Sequence, residues 1–325
     1  MFVGEIQVVP LAAESMGVRS LCTQIITPDV NILLDPSAAL AFRYGLEPHP
    51  KEYEVLLKSL ESIFVASRAA DIISISHYHY DHVRPGFTNF HYNMSSLEEL
   101  QRIFDGKKVY AKDYRENINP SQRRRGFFFL KDVKDVVDEI IWSDNTEVTI
   151  GDTRLVFSPP FPHGPINSRL GFVVSTMIEY NNQRVVFAPD VQGPVADDTL
   201  AYLLNIKPEL IIVGGPPLYI KRFSDADRVL AKESLTKLAK YTPKTVVDHH
   251  LMRSEDWIPW LKSIRELSSS INHEVLTMAE LSGQENCCLE ARRPQVYREF
   301  PPSEKFLNWA NSTDEFKMKN MPPIK

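Results

Sequence analysis

Between residues 51 and 68 the apolar side chains Tyr53, Leu56, Leu57, Leu60, Ile63 and Phe64 recur three and four positions apart, the spacing that lays one face of a helix on a core. Ahead of it, residues 3–9, 21–26 and 31–34 read as strands, the last two joined by a turn at Pro28-Asp29. After the helix, Asp71-Ile-Ile-Ser-Ile75 runs without alternation, as a strand covered on both faces does. Gly151-Asp152 in "TEVTIGDTRLVFSPP" and Asn181-Asn182 within residues 171–188 separate paired runs of strand-forming residues and predict two hairpins. Further on, short strands at 210–213 and 245–247 alternate with helical patterns at 228–241 and 255–267.

Antiparallel hairpins plus crossover helices in both halves predict an α/β (α+β) chain of two sheets packed face to face with helices outside. One domain over residues 1–290 suffices, and no internal repeat is visible. Residues 291–325 mix proline, charge and scattered aromatics without a period, and are expected to be a C-terminal tail that wraps on the domain or is mobile.

Composition narrows the class more than the chemistry. The 325 residues are 43% hydrophobic and 24% charged, ordinary for a globular protein. The apolar runs fall far short of the roughly 20 residues of a membrane span, so no membrane association is expected. "MFVGEIQVVPL" lacks the basic region and long apolar stretch of a secretory signal, and a cytoplasmic protein is expected. Three cysteines make no disulfide framework. A net charge of −5 argues against a general nucleic-acid binder, which leaves nucleic acid a possible but not favoured partner. The oligomeric state is open.

The chemistry concentrates in "IISISHYHYDH", where His77, His79, Asp81 and His82 follow the buried strand. Neutral imidazole and carboxylate are ligands for zinc and similar divalent ions. In an extended segment His77, His79 and Asp81 share a face, and His82 joins them only where the chain turns. More candidates stand at other strand ends: His163 in "SPPFPHGP", Asp190 in "VVFAPD", and His249 and His250 in "TVVDHH".

His-x-His-x-Asp-His followed in order by a His, an Asp and a His resembles the metallo-β-lactamase superfamily, over roughly residues 1–281. "LLDPS", "SPPFPHGP", "FAPDVQGP" and "VVDHHLMR" look like an uncharacterised archaeal-type branch of predicted hydrolases within it. The resemblance implies a four-layer αββα sandwich and two divalent ions, zinc ahead of manganese or iron. By position it implies His77, His79 and His163 on one ion, Asp81, His82 and the last His on the other, and Asp190 bridging. Ions about 3.5–4 Å apart lower the pKa of water toward roughly 7, which makes hydrolysis by a metal-activated hydroxide the expected chemistry. Asp81 would instead orient or deprotonate the water if one ion is bound.

His249 and His250 should face opposite ways while the strand persists; His249 is preferred as the ligand, with His250 the alternative. Aligned on His249, "HHLMR" puts Arg253 where ribonuclease Z-like members carry an arginine, whereas Ser254 replaces their tyrosine, which weakens an RNA-processing reading. Asp248 is read as a support for a ligand imidazole or as a capping carboxylate. Arg169 and Arg253 are the candidates for contacting substrate. "NPSQRRRGFFFL" reads first as a helix start with solvated arginines and core phenylalanines, although the combination also suits phosphate and a planar ring. The expected activity is hydrolysis of an ester-type bond, in a phosphodiester or phosphorylated small molecule ahead of a carboxylic ester, lactone or thioester. The rival is an iron-dependent oxidoreductase on the same scaffold.

Overall fold

The computed structural model describes residues 1–166 and 168–324. In its first half β1 (Phe2–Val3), β2 (Ile6–Pro10), β3 (Thr23–Ile26), β4 (Asn31–Leu34), β5 (Ile72–Ile75), β6 (Lys108–Ala111) and β7 (Glu139–Trp142) lie side by side in chain order. The strands up to β4 pair antiparallel. From β4 to β7 they pair parallel, and α1 (Pro50–Ala69), α2 (Leu97–Phe104) and α3 (Pro120–Val133) fill the crossovers, as parallel neighbours require.

The second half repeats the plan. β8 (Glu147–Ile150) and β9 (Thr153–Phe157) form a hairpin, β10 (Phe161–Pro162) and β11 (Phe172–Val173) a small ribbon, and β12 (Thr176–Tyr180) and β13 (Gln183–Ala188) a second hairpin. Then α4 (Asp197–Ile206), β14 (Leu210–Gly214), α5 (Asp225–Tyr241), β15 (Lys244–Asp248), α6 (Trp257–Ser270) and β16 (Glu274–Leu276) alternate in parallel crossovers, closed by the short α7 (Met278–Leu281). The spatial order is β16-β15-β14-β13-β12-β9-β8. The two halves thus share one topology although the sequence carries no visible repeat.

Each central strand is apolar on both faces because each face has a layer to meet. Ile32, Leu34, Leu155, Ile178 and Ile212 fill the space between the sheets, where Tyr110 of β6 stacks on Phe157 of β9 with ring centroids 5.0 Å apart. On the outer faces Leu33, Ile73 and Ile75 pack under α1 to α3, and Ile211, Val213 and Val247 under α4 to α6. This is the αββα sandwich.

The structure corrects several details. The strand read at 3–9 is split by a turn at Gly4, which has φ +55°. β6 and β7 were not visible in the sequence. α3 sends Phe129 into the core but leaves Phe127 and Phe128 exposed. His49 has a structural place: its Nδ1 caps α1 by accepting from the Lys51 N–H, and Glu52 Oε2 accepts from the His49 N–H.

From residue 293 the chain forms α8 (Arg293–Glu299), α9 (Glu304–Ala310) and α10 (Asp314–Lys319). Arg293 makes a buried two-pronged pair with Glu52 of α1, both bonds 2.8 Å. Phe306 and Trp309 pack edge-on against Tyr53, and Lys317 pairs with Glu47. Among the described residues no helix is long and apolar enough to cross a membrane.

Candidate metal centre

Strand ends at one edge of the sandwich supply every candidate ligand. His77, His79, Asp81 and His82 lie on the loop leaving β5, His163 follows β10, Asp190 follows β13, and His249 and His250 follow β15. Crevices beyond the carboxyl ends of parallel strands are where open α/β sheets gather functional groups.

Asp190 is the hub. Its Oδ2 lies 2.9 Å from His77 Nε2, 3.0 Å from His82 Nε2 and 3.1 Å from His163 Nε2. Its Oδ1 lies 2.9 Å from the Nε2 atoms of both His249 and His250. His79 joins through its Nδ1, 3.0 Å from His77 Nε2. The backbone is bent to make this possible: Asp190 has φ +52°, a costly conformation for a residue with a Cβ. β14 passes so close that a Cβ on Gly214 would sit 2.6 Å from the Asp190 nitrogen, so only glycine fits there.

The opposite facing expected of His249 and His250 while the strand persists does not apply, because the strand has ended before them. β15 stops at Asp248, and residues 249–253 make a tight 3-10 turn with His249 at φ +65°. Alternation ends with the strand, and both rings swing to the same carboxylate.

Whether a cation suits the cluster follows from where its protons must be. The Ser76 hydroxyl donates to Asp35 Oδ2 at 2.5 Å, so it accepts from His77 Nδ1 at 2.9 Å. Asp35 Oδ2 accepts from His82 Nδ1 and Glu14 Oε2 from His249 Nδ1, each at 2.8 Å. With one proton held behind each, these three imidazoles in their neutral form turn Nε2 lone pairs toward a carboxylate that has none to give. Both Asp190 oxygens, His163 Nε2 and both His250 nitrogens have no hydrogen-bond partner among the described residues. Lone pairs converging in a buried space call for a cation, and the donor set of nitrogen and carboxylate oxygen fits zinc-like ions.

Two four-atom groupings emerge: His77, His79, His163 and Asp190 in one, and Asp81, His82 and His249 with Asp190 beside them in the other. The electrostatics divide the cluster. Burial and the neighbouring His82 bring His77 down to about 4, and burial holds His79 and His250 well below the ordinary value, so these rings offer lone pairs at neutral pH. Burial opposes charge on His82 and His249 too, but Asp190 with Asp35 raises the first well above its ordinary value, and Asp190 with Glu14 lifts the second to about 9. At that end the carboxylates attract positive charge, which without an ion is a second proton on each ring that a bound cation would displace. Asp190 stays ionised despite burial, held well below the usual range by His249, His163 and His82.

Sequence reasoning missed the groups that orient the ligands. Asp35 directly follows β4, inside "LLDPS", and Glu14 opens the 3-10 turn Glu14–Met16 beyond β2, with no pattern that marks either as the partner of an imidazole. Gln192 Nε2 lies 3.3 Å from His163 Nδ1, and Gln122 Nε2 3.5 Å from His79 Nε2. Asp248 does not support an imidazole: it accepts from the backbone N–H groups of Ser15, His249 and Met278. Arg253 is not on a substrate-facing surface. It is 3% exposed, with Nε donating to Glu14 Oε1 at 2.7 Å and Nη2 to Asp81 Oδ2 at 3.1 Å. It therefore positions Asp81 and Glu14. Arg169 lines a cavity of about 330 Å³ that also touches Gln192, Arg222 and Asp227.

No family model matches the chain. A UPF0282 protein of Methanopyrus kandleri is 38% identical over 293 residues, 89% of this chain and 98% of its own. UPF0282 proteins of Pyrobaculum islandicum and Methanocaldococcus jannaschii are 37% and 38% identical, covering 90% and 89% of this chain and 94% and 96% of theirs. Among solved structures, unliganded yeast PDE1 superposes with a TM-score of 0.50 at 10% identity, over 85% of this chain and 98% of that one, so the two share a fold. CmlA, a diiron β-hydroxylase from Streptomyces venezuelae, gives 0.48 at 11% identity over 84% of this chain, which spans about half, 52%, of that enzyme.

Proposed function

The chain belongs to the UPF0282 family, on the metallo-β-lactamase fold, and we propose that it is a metal-dependent hydrolase with a paired-ion site acting on phosphodiesters or phosphorylated small molecules. His77, His79 and His163 would hold one ion, Asp81, His82 and His249 the other, and Asp190 both. Zinc is the metal we favour from the nitrogen-rich donor set. Bound there, such ions supply Lewis acidity, bringing the pKa of water toward about 7 and offsetting charge on the reacting oxygens.

The chain's own groups do the rest. Ser76, Asp35 and Glu14 fix the tautomers of His77, His82 and His249, so that no ligand must reorient during reaction. Arg253 holds Asp81 toward the cluster. We assign His249 rather than His250 to the ligand set because Glu14 anchors its Nδ1 and its Nε2 stands 3.2 Å from His82 Nε2. His250, whose Nε2 also stands 2.9 Å from Asp190 Oδ1 but whose Nδ1 has no anchor, is kept neutral by burial and is left to accept a proton from the reacting oxygen. The cavity beside Gln192 carries Arg169 and Arg222 against Asp227 alone, a cationic surplus that favours an anionic substrate over a neutral ester or lactone.

The observation that carries this reading is the convergence of imidazole lone pairs on both oxygens of Asp190. Its test is metal analysis of the purified chain together with assays of phosphodiester, phosphomonoester, lactone and thioester substrates. Two equivalents of zinc and phosphodiester turnover that Asp190→Asn abolishes are expected. A fully loaded protein that turns over none of the panel refutes hydrolysis, and bound iron with oxygen uptake replaces it with oxidation.

A further inference from the structure

A cavity of about 630 Å³ opens beside the metal loop, between that loop and α3, with Tyr80, Arg84, Phe87, Arg125, Phe128 and Asp132 in its wall. Its volume falls in the range of small-molecule sites. Arg84 is 3% exposed, and although Nη2 donates to the Met94 carbonyl, Nε and Nη1 have no partner among the described residues. Glu99, the carboxylate that acts on it, pairs with Arg102 at 3.6 Å. A buried guanidinium with two unmet donors is unfavourable unless something supplies acceptors.

The rest of the wall specifies the remainder of the ligand. Arg124, Arg125 and Lys131 add three cations, and Asp132 is the one carboxylate among the lining residues. The Arg125 guanidinium lies 4.2 Å from the Tyr80 ring centroid, and Phe87 meets Tyr80 edge-on at 5.5 Å. Phe87 and Phe128 are 43% and 44% exposed, large flat faces of the kind on which nucleobases stack. The loop carrying Phe87 can approach α3 because residue 86 is glycine: a Cβ there would fall 2.3 Å from Asp132 Oδ2.

We infer that this cavity binds a free mononucleotide, with the covered Arg84 guanidinium turning out from the Phe64 ring to meet its phosphate, its base against Phe87 and Phe128, and Asp132 accepting from a sugar hydroxyl or a base amino group. Bidentate guanidinium recognition suits a phosphate, and a lone acceptor among cations reads a donor that inorganic phosphate lacks. The inference does not rest on the hydrolase reading, because its test measures binding and not turnover.

Calorimetric titration of the purified full chain with AMP, adenosine, inorganic phosphate and a 5′-phosphorylated oligoribonucleotide tests it. AMP is expected to bind more tightly than adenosine or phosphate. Arg84→Met should weaken AMP by roughly tenfold to a hundredfold, as loss of a charged hydrogen-bonding group does, and leave adenosine unchanged. Phe128→Ala, on the exposed rim, should weaken both and needs no change in the interior. Arg84→Met removes an uncompensated buried charge, so its melting temperature should stay at or above that of the parent; if it does not fold, Phe128→Ala alone decides. Absence of AMP binding, Arg84→Met titrating like the parent, or the oligoribonucleotide binding ahead of AMP each overturns the inference.

Discussion

Replacing Asp35 by asparagine tests the ligand-ordering scheme at a residue that touches no ion. Asp35 is fully buried and accepts three hydrogen bonds, from the Ser76 N–H at 2.7 Å, the Ser76 hydroxyl at 2.5 Å and His82 Nδ1 at 2.8 Å. Asparagine has the same shape but one acceptor fewer. If its oxygen stays on the Ser76 N–H, its amide nitrogen confronts two donors, and the imidazole escapes only by moving its proton from Nδ1 to Nε2. That removes the lone pair facing the cluster. A hydrogen bond to a charged group contributes about 1.5–3 kcal/mol, and losing an orienting partner costs about 10–100-fold in metal affinity, or about 1.4–2.7 kcal/mol, so two independent routes agree. Stepwise zinc titration against a competing chelator should show one site weakened by about that factor in Asp35→Asn. The His77, His79 and His163 site should change less, through Ser76 alone. A folded Asp35→Asn protein holding both ions with parental affinity refutes the scheme.

Stripping the ions with a chelator should lower the melting temperature, since a site held at a hundred times its dissociation constant contributes about 2.7 kcal/mol; calorimetry showing an unchanged transition after verified metal removal would contradict a resident cation. Phe157→Ala, which empties the space against Tyr110 between the sheets, should cost about 3–5 kcal/mol, read from urea unfolding as a lower midpoint with an unchanged slope. Burial disfavours charge on Glu47, but hydrogen bonds from His91 and Lys317 outweigh it and hold the carboxyl below its ordinary value. A lowered folded-state pKa stabilises fully above the unfolded value, about 4.3, and the contribution is lost as pH falls through the folded value. Amide protection in α10, taken relative to the intrinsic exchange rate at each pH, should therefore fall on acidification across that window. In Glu47→Gln the same window should be flat.

The elements legible in the sequence were those that local rules govern. Asn181 and Asn182 take φ +49° and +60° and Gly151 takes +58°, the turn chemistry that asparagine and glycine announce, and α1 shows its buried stripe because one whole face meets the sheet. β6 escaped because four residues between two helices carry too little pattern, and β7, between α3 and β8, because it is an edge strand only half covered. At the candidate site the ligand types and their strand-end positions could be read, but the second layer could not. Glu14 reaches His249 across 235 positions of chain, and in the sequence it is one acidic residue among many. The turn of His249 into line with His250 depends on how β15 ends, which alternation alone cannot foresee.

The cluster draws His77, His79 and His82, with Asp35 and Glu14 behind them, from the half of the chain made first, and His163, Asp190, His249 and His250 from the half made second. An ion offered to a nascent polypeptide finds an incomplete claw, because domains are synthesised from the N-terminus and complete their packing only when the later segments arrive. Capture is then the closing act of biogenesis. A seated ion would clasp the two sheets together, so that parting either half would mean releasing it.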